Sequence, residues 1–143
     1  MNIVVLSRDS KLYSTKRLVE AIESRGHTAR VVNHVKCDIL IEKKNPQVIY
    51  GGQPLTDVDA IIPRIGASVT FYGTAVVRQF EMMKVFTTTE SQALVRSRDK
   101  LRSMQILTRS GVGIPKTVFT NYSKDVGSIV DSVGGAPCII KLL

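Results

Sequence analysis

A chain of 143 residues is long enough for one ordinary domain, or for a small domain with a piece of another. Its 43% hydrophobic content lies in short blocks, which excludes a disordered polymer, and no apolar run is long enough to span a bilayer. The formal charge of +8, from 20 Lys and Arg against 12 Asp and Glu, favours a nucleotide, a nucleic acid or an acidic peptide as partner, with a solvated basic surface as the plain alternative.

The chain opens directly on Ile3-Val4-Val5-Leu6, without the basic start and longer apolar stretch of a signal peptide. This points to the cytoplasm. Residues 2–6 read as a first strand, followed by a loop at Ser7-Arg8-Asp9-Ser10 and a helix from Tyr13 to Arg25 stopped by Gly26. Leu18, Ala21, Ile22 and Val19 form its inner face. Thr28–Asn33 is a second strand, parallel to the first by β–α–β logic, so an open α/β sheet begins here. His27 and His34 have no acidic or cysteine cluster beside them and read as surface or strand-edge residues. Cys37 and Cys138 share no metal-ligand spacing and read as two reduced thiols.

The apolar blocks Ile39-Leu40-Ile41 and Val48-Ile49-Tyr50, with Gly51-Gly52 turning into Gln53-Pro54-Leu55, predict a small hairpin decorating the sheet. Ala60-Ile61-Ile62 is a third core strand ended by Pro63, and a helix follows from Phe71 to Met83. Val85–Thr87 is a fourth strand. Helices are expected from Glu90 to Ser97 and, capped by Ser97 or Asp99, from Lys100 to Ser110. Lys116–Phe119 is read as a strand, Ser123 as the cap of a helix through Val133, and 137–142 as a final strand. The pattern changes near residue 95, which sets a domain boundary there.

Three places carry chemistry. The loop Ser7–Thr15 leaves the carboxyl end of a strand, where open α/β sheets gather ligands, although it has no glycine and no dinucleotide fingerprint. Arg64 leaves the third strand and is suited to clamp a carboxylate, with a structural salt bridge as the equal alternative. Around it stand Gly66, Thr70-Phe71-Tyr72-Gly73 and Arg78-Gln79-Phe80-Glu81; Phe71 and Phe80 read as packing residues, and Arg78 with Glu81 as a surface pair. The third is Arg96-Ser97-Arg98-Asp99-Lys100-Leu101-Arg102, a basic run without the interleaved aromatics that stack nucleic-acid bases. Lys100 gains meaning beside Lys141. In the predicted last strand Lys141 shares a face with Ile139 and Leu143, and a buried ammonium there requires an anion. Two lysines on one cleft suit a polyphosphate, and a strand ending the chain suggests a truncation.

Leu6-Ser7-Arg8-Asp9, Leu12-Tyr13-Ser14, Pro63-Arg64-Ile65-Gly66, Phe71-Tyr72-Gly73-Thr74-Ala75, Arg78-Gln79-Phe80-Glu81, Arg98-Asp99-Lys100-Leu101-Arg102-Ser103-Met104-Gln105 and Gly134-Gly135-Ala136-Pro137 before Lys141-Leu142 together carry a family likeness. The chain resembles the RimK-type glutamate ligases of the ATP-grasp superfamily over nearly its whole length, least so at 33–57. The resemblance implies an α/β fold. An open, mostly parallel, Rossmann-like pre-ATP-grasp sheet would occupy 1–95, and the first part of an ATP-grasp α+β domain 96–143. It implies ATP between two subdomains, with Lys100 and Lys141 on the phosphates; Arg64, Ser7 and Tyr72 are the candidates for the substrate, and no catalytic residue is assigned.

The implied reaction phosphorylates a carboxylate to an acylphosphate, which an amine attacks to form an amide. The carboxylate would be the C-terminus of a small-subunit ribosomal protein, whose acidic tail lengthens, and the amine that of glutamate. A homo-oligomer fits this picture; membrane and nucleic acid do not enter it. Magnesium or manganese would be held by ligands outside this chain. The family's glycine-rich phosphate loop, adenine-binding strand, acidic metal ligands and metal-binding asparagine are expected beyond Leu143, so the chain alone is expected to be inactive and to lack tight ATP binding. The competing readings are a free-standing α/β anion-binding module and a basic RNA-binding module.

Overall fold

The computed structural model describes residues 1–122 and 124–142. Its strands are β1 (Asn2–Leu6), β2 (Thr28–Val32), β3 (Cys37–Leu40), β4 (Gln47–Tyr50), β5 (Gln53–Pro54), β6 (Ala60–Pro63) and β7 (Phe86–Thr87). Its α-helices are α1 (Tyr13–Glu23), α2 (Thr70–Met82), α3 (Ser91–Arg98), α4 (Lys100–Arg109) and α5 (Val126–Ser132). The chain divides into two compact units, Met1–Arg98 and Asp99–Leu143.

In the first unit Val4, Val5 and Leu6 are all buried, as a strand covered on both faces requires. β1 pairs in parallel with β2 on one side and with β6 on the other, and β6 pairs in parallel with β7, giving the order β2-β1-β6-β7. The chain leaves β1 through α1 to β2, then returns past β1 to β6 and on through α2 to β7. The strand order therefore reverses between β1 and β6. In open α/β sheets that reversal opens a crevice beyond the carboxyl ends of the two strands.

The segment between β2 and β6 forms the expected decoration, one strand larger than a hairpin. β3, β4 and β5 make an antiparallel sheet, with Gly51 and Gly52 at positive φ in the turn before β5. Helix α2 joins the two sheets. Val76, Val77 and Phe80 pack into one core with Val4, Leu6, Val32, Ile61, Val48 and Leu55. Its buried Gln79 donates to the carbonyls of Leu40 and Gln47 at 2.7 and 3.1 Å, and Tyr72 Oη donates to Cys37 O at 2.6 Å. One helix thus stitches β3 and β4 to the sheet by side chains seven residues, two turns, apart.

Several expectations change. His34 is fully buried rather than at a surface or strand edge, because the short 3-10 turn at His34–Lys36 folds it inward beneath α2. A Cβ on Gly73 would meet Ile65 Cγ2 at 2.5 Å and His34 Cδ2 at 3.3 Å, so the missing side chain is what lets α2 close over both. Phe71 is 89% exposed, whereas Phe80 is buried as expected. Glu81 does not pair with Arg78: it accepts from the Ser91 amide at 2.6 Å and the Ser91 hydroxyl at 2.8 Å, holding the start of α3.

In the second unit Asp99 caps α4, accepting from the Arg102 amide at 2.9 Å, and Gly111 follows at positive φ. Asp125 caps α5 through the Ser128 amide; the expected cap Ser123 lies outside the described residues. The strands expected at Lys116–Phe119 and 137–142 do not form, since neither segment has a ladder partner among the described residues. Ile139, Ile140 and Lys141 are exposed, so Lys141 is not a buried ammonium; Leu143, expected on its face, lies outside the described residues. Both cysteines are free, Cys37 buried and Cys138 exposed.

Candidate functional site at the carboxyl edge of the sheet

The parallel strands deliver their following residues to one edge. β1 is followed by Ser7 and Arg8, β2 by Asn33 and His34, and β6 by Arg64, Ile65 and Gly66. Because α1 runs antiparallel to β1, its N-terminus opens on the same edge. Leu12 at its N-cap makes no side-chain cap, and the first turn of the helix holds no acidic residue.

Backbone bonds lock these loops to the sheet. The Ser7 amide donates to Val32 O at 3.0 Å, the Arg64 amide to Leu6 O at 2.8 Å, and Asn33 Nδ2 to Arg8 O at 3.2 Å. On this frame Arg8 and Arg64 are both exposed, and each reaches across the reversal. Arg8 Nη1 lies 3.5 Å from Ser68 Oγ beyond β6, and Arg64 Nη2 lies 3.3 Å from Ser14 Oγ on α1. Gly66 lies directly beneath Arg8, whose Nη2 is 3.3 Å from where a Cβ would stand.

Of the residues expected on the substrate, only Arg64 presents its functional group outward. Ser7 is buried, its hydroxyl bonded to Thr15 Oγ1 at 2.9 Å and to Asp9 O at 3.1 Å. Tyr72 directs its hydroxyl to Cys37 O; burial, with the negative charge of Asp38 and then Cys37 nearby, pushes its pKa up and keeps it a donor. Both hydroxyls are thus engaged within the protein. Arg8 follows β1 much as Arg64 follows β6, yet within the loop Ser7–Thr15 no residue pattern singles it out. His34 lies in the core rather than at a surface or strand edge. Neither imidazole nitrogen has a hydrogen-bond partner among the described residues, and burial, then the charge of Arg8, hold the imidazole below its usual pKa.

Lys100 stands on the first turn of α4, behind the Asp99 cap, and Lys141 in the irregular segment after α5; both are exposed. Arg98 of the basic run is tied to Ile65 O at 2.6 Å. Two surface hollows, one bounded by Gln47, Leu55 and Met83 and one by Glu81, Lys84 and Ser91, include none of Ser7, Arg8, Arg64, Tyr72, Lys100 and Lys141. Among the described residues no three His, Cys, Asp or Glu side chains converge as metal ligands. No described helix is long and apolar enough to cross a membrane.

Comparison with known proteins agrees with this architecture. The family model of the RimK pre-ATP-grasp domain matches residues 1–94, and that of the RimK-like ATP-grasp domain matches residues 97–143. The chain belongs to the RimK family. Probable alpha-L-glutamate ligases of Hydrogenovibrio crunogenus and Vibrio cholerae are 58% and 57% identical to it over all 143 residues. Those residues are 48% of each relative, so the chain spans about half the length of the curated relatives it matches. Among solved structures, macrocyclase MdnB of Microcystis aeruginosa superimposes on 85% of this chain and 54% of its own, with a TM-score of 0.62 at 19% identity. MdnC of the same organism, bound with its precursor peptide MdnA, covers 92% of this chain and 50% of its own at a TM-score of 0.60 and 16% identity. At such identities the likeness is one of fold, and it places the RimK-family chain among α/β proteins of this architecture.

Proposed function

We propose that this RimK-family chain is the N-terminal portion of an ATP-dependent ligase that adds glutamate to the C-terminal carboxylate of a small-subunit ribosomal protein. The observation that carries the reading is the 57–58% identity to probable alpha-L-glutamate ligases, continuous through both family domains. It favours a ligase over a free-standing anion-binding or RNA-binding module.

In this reading the first unit offers the carboxylate-bearing substrate a positively charged edge, with Arg64 as the fork that orients it and Ser7 and Tyr72 holding the surrounding wall. Lys100 and Lys141 supply cations to the nucleotide phosphates, and ATP supplies the activation that turns the carboxylate into an acyl group an amine can attack. A divalent metal belongs to the length that the relatives have beyond this match. The net charge of +8 suits an acidic, lengthening tail.

The test is ADP release by the complete gene product. The reading expects release that requires both L-glutamate and the acceptor, falls at least tenfold in Lys141→Ala while the protein stays folded, and is absent when the 143-residue chain is assayed alone. Release independent of glutamate contradicts it.

A further inference from the structure

We infer that Arg8 and Arg64 together form one carboxylate-binding subsite at the strand-order reversal between β1 and β6. The inference deepens the ligase reading and names a second arginine in its substrate site.

Four observations converge. Topology places both residues at the crevice where sheets of this kind bind ligands: Leu6 and Pro63 are register partners, and the two arginines follow them by two residues and by one. Each side chain crosses to the loop of the other strand, so the pair straddles the reversal from both sides. Neither guanidinium meets a carboxylate among the described residues. Their side-chain partners among the described residues are the neutral hydroxyls of Ser68 and Ser14, at 3.5 and 3.3 Å, both at the long end of hydrogen bonding. A guanidinium has five N–H donors, so most are left for a ligand. Finally, the uncapped N-terminus of α1 adds positive potential to the same edge.

The acid of this loop, Asp9, turns its Oδ1 to the Lys11 amide at 2.7 Å and forms no ion pair with either arginine among the described residues. Gly66 keeps the floor beneath Arg8 free of a side chain. A carboxylate suits the site better than a phosphate. The planar forks would pair with either anion, and what favours the carboxylate is that the loop 7–15 has no glycine with which to wrap backbone amides around a phosphate. Free L-glutamate and a peptide ending in glutamate share this chemistry.

The measurement is an NMR titration of the 143-residue chain, without ATP, using three probes: L-glutamate, a peptide ending in Glu-Glu, and inorganic phosphate. The subsite predicts shifts confined to residues 7–15 and 64–69, with one or both carboxylate probes, and the probe that binds identifies the source. Arg8→Gln and Arg64→Gln should each weaken binding about tenfold or more, as loss of charge-assisted bonds implies. Arg25→Gln, which removes the same charge at the far end of α1, should leave it unchanged. Should a glutamine variant unfold, Arg8→Lys and Arg64→Lys keep the charge but lose the fork, and are expected to weaken binding as well. Absence of localised shifts with both carboxylate probes, equal effects of Arg25→Gln, or tighter binding of phosphate would overturn the proposal. Because no nucleotide is present, failure here leaves the ligase reading standing, and failure of ADP release leaves the subsite standing.

Discussion

His34 shows how much one buried side chain can govern. It is fully enclosed, without a partner for either ring nitrogen among the described residues, and burial followed by the charge of Arg8 depresses its pKa below 6.5. The folded state therefore holds the imidazole neutral, while the unfolded chain takes up a proton near pH 6.5. Stability attached to this residue is fully present above that pH and is lost progressively as pH falls from 6.5 toward the folded-state pKa. Urea midpoints measured at steps between neutral and mildly acidic pH should fall on acidification. His34→Leu removes a polar group that has no partner to lose; it should keep or raise the neutral-pH midpoint and flatten the acid slope. A slope unchanged in His34→Leu would assign the acid sensitivity elsewhere. Cys37 is the contrasting case, since burial and then Asp38 push its thiol up to about 11 and leave it a packing residue.

At the scale of elements, α2 ties the first unit together. Gln79→Leu keeps the volume but strips the donors from Leu40 O and Gln47 O, and should cost about 1–3 kcal/mol in urea unfolding. A cost near zero would mean that the β3–β4 sheet holds to α2 by apolar packing alone. Much of this architecture was legible in the residues. The apolar blocks at 3–6 and 60–62 gave the inner strands, and Gly26, Gly51 and Gly52 marked turns that do adopt positive φ. Two segments misled. Val118-Phe119 and Ile139-Ile140 have the composition of strands, but a strand is a pairing, and neither finds a neighbour among the described residues. The site was half legible for a related reason. Arg64 follows a strand whose end is announced by Pro63, so its position could be inferred, whereas pairing it with Arg8 needs the β1–β6 adjacency, which is tertiary information.

The whole molecule has two unequal parts. The first unit holds the buried core, whereas no described residue of the second is buried. Val118, Phe119, Tyr122, Ile139, Ile140 and Leu142 are all more than 40% exposed. Apolar surface on that scale calls for a cover, and the curated relatives have about as much chain again as the part matched here. Lys100 and Lys141, both in the second unit, are exposed. The central claim, that the complete protein joins glutamate to a protein C-terminus, is tested most directly by the intact mass of the acceptor. After incubation of the complete gene product with ATP, magnesium, isotopically labelled glutamate and small-subunit ribosomal proteins, one acceptor should gain mass in whole steps of one labelled glutamyl residue. Fragmentation should place the additions after its last residue. Unchanged masses for every candidate acceptor, or additions on internal side chains, would contradict the account.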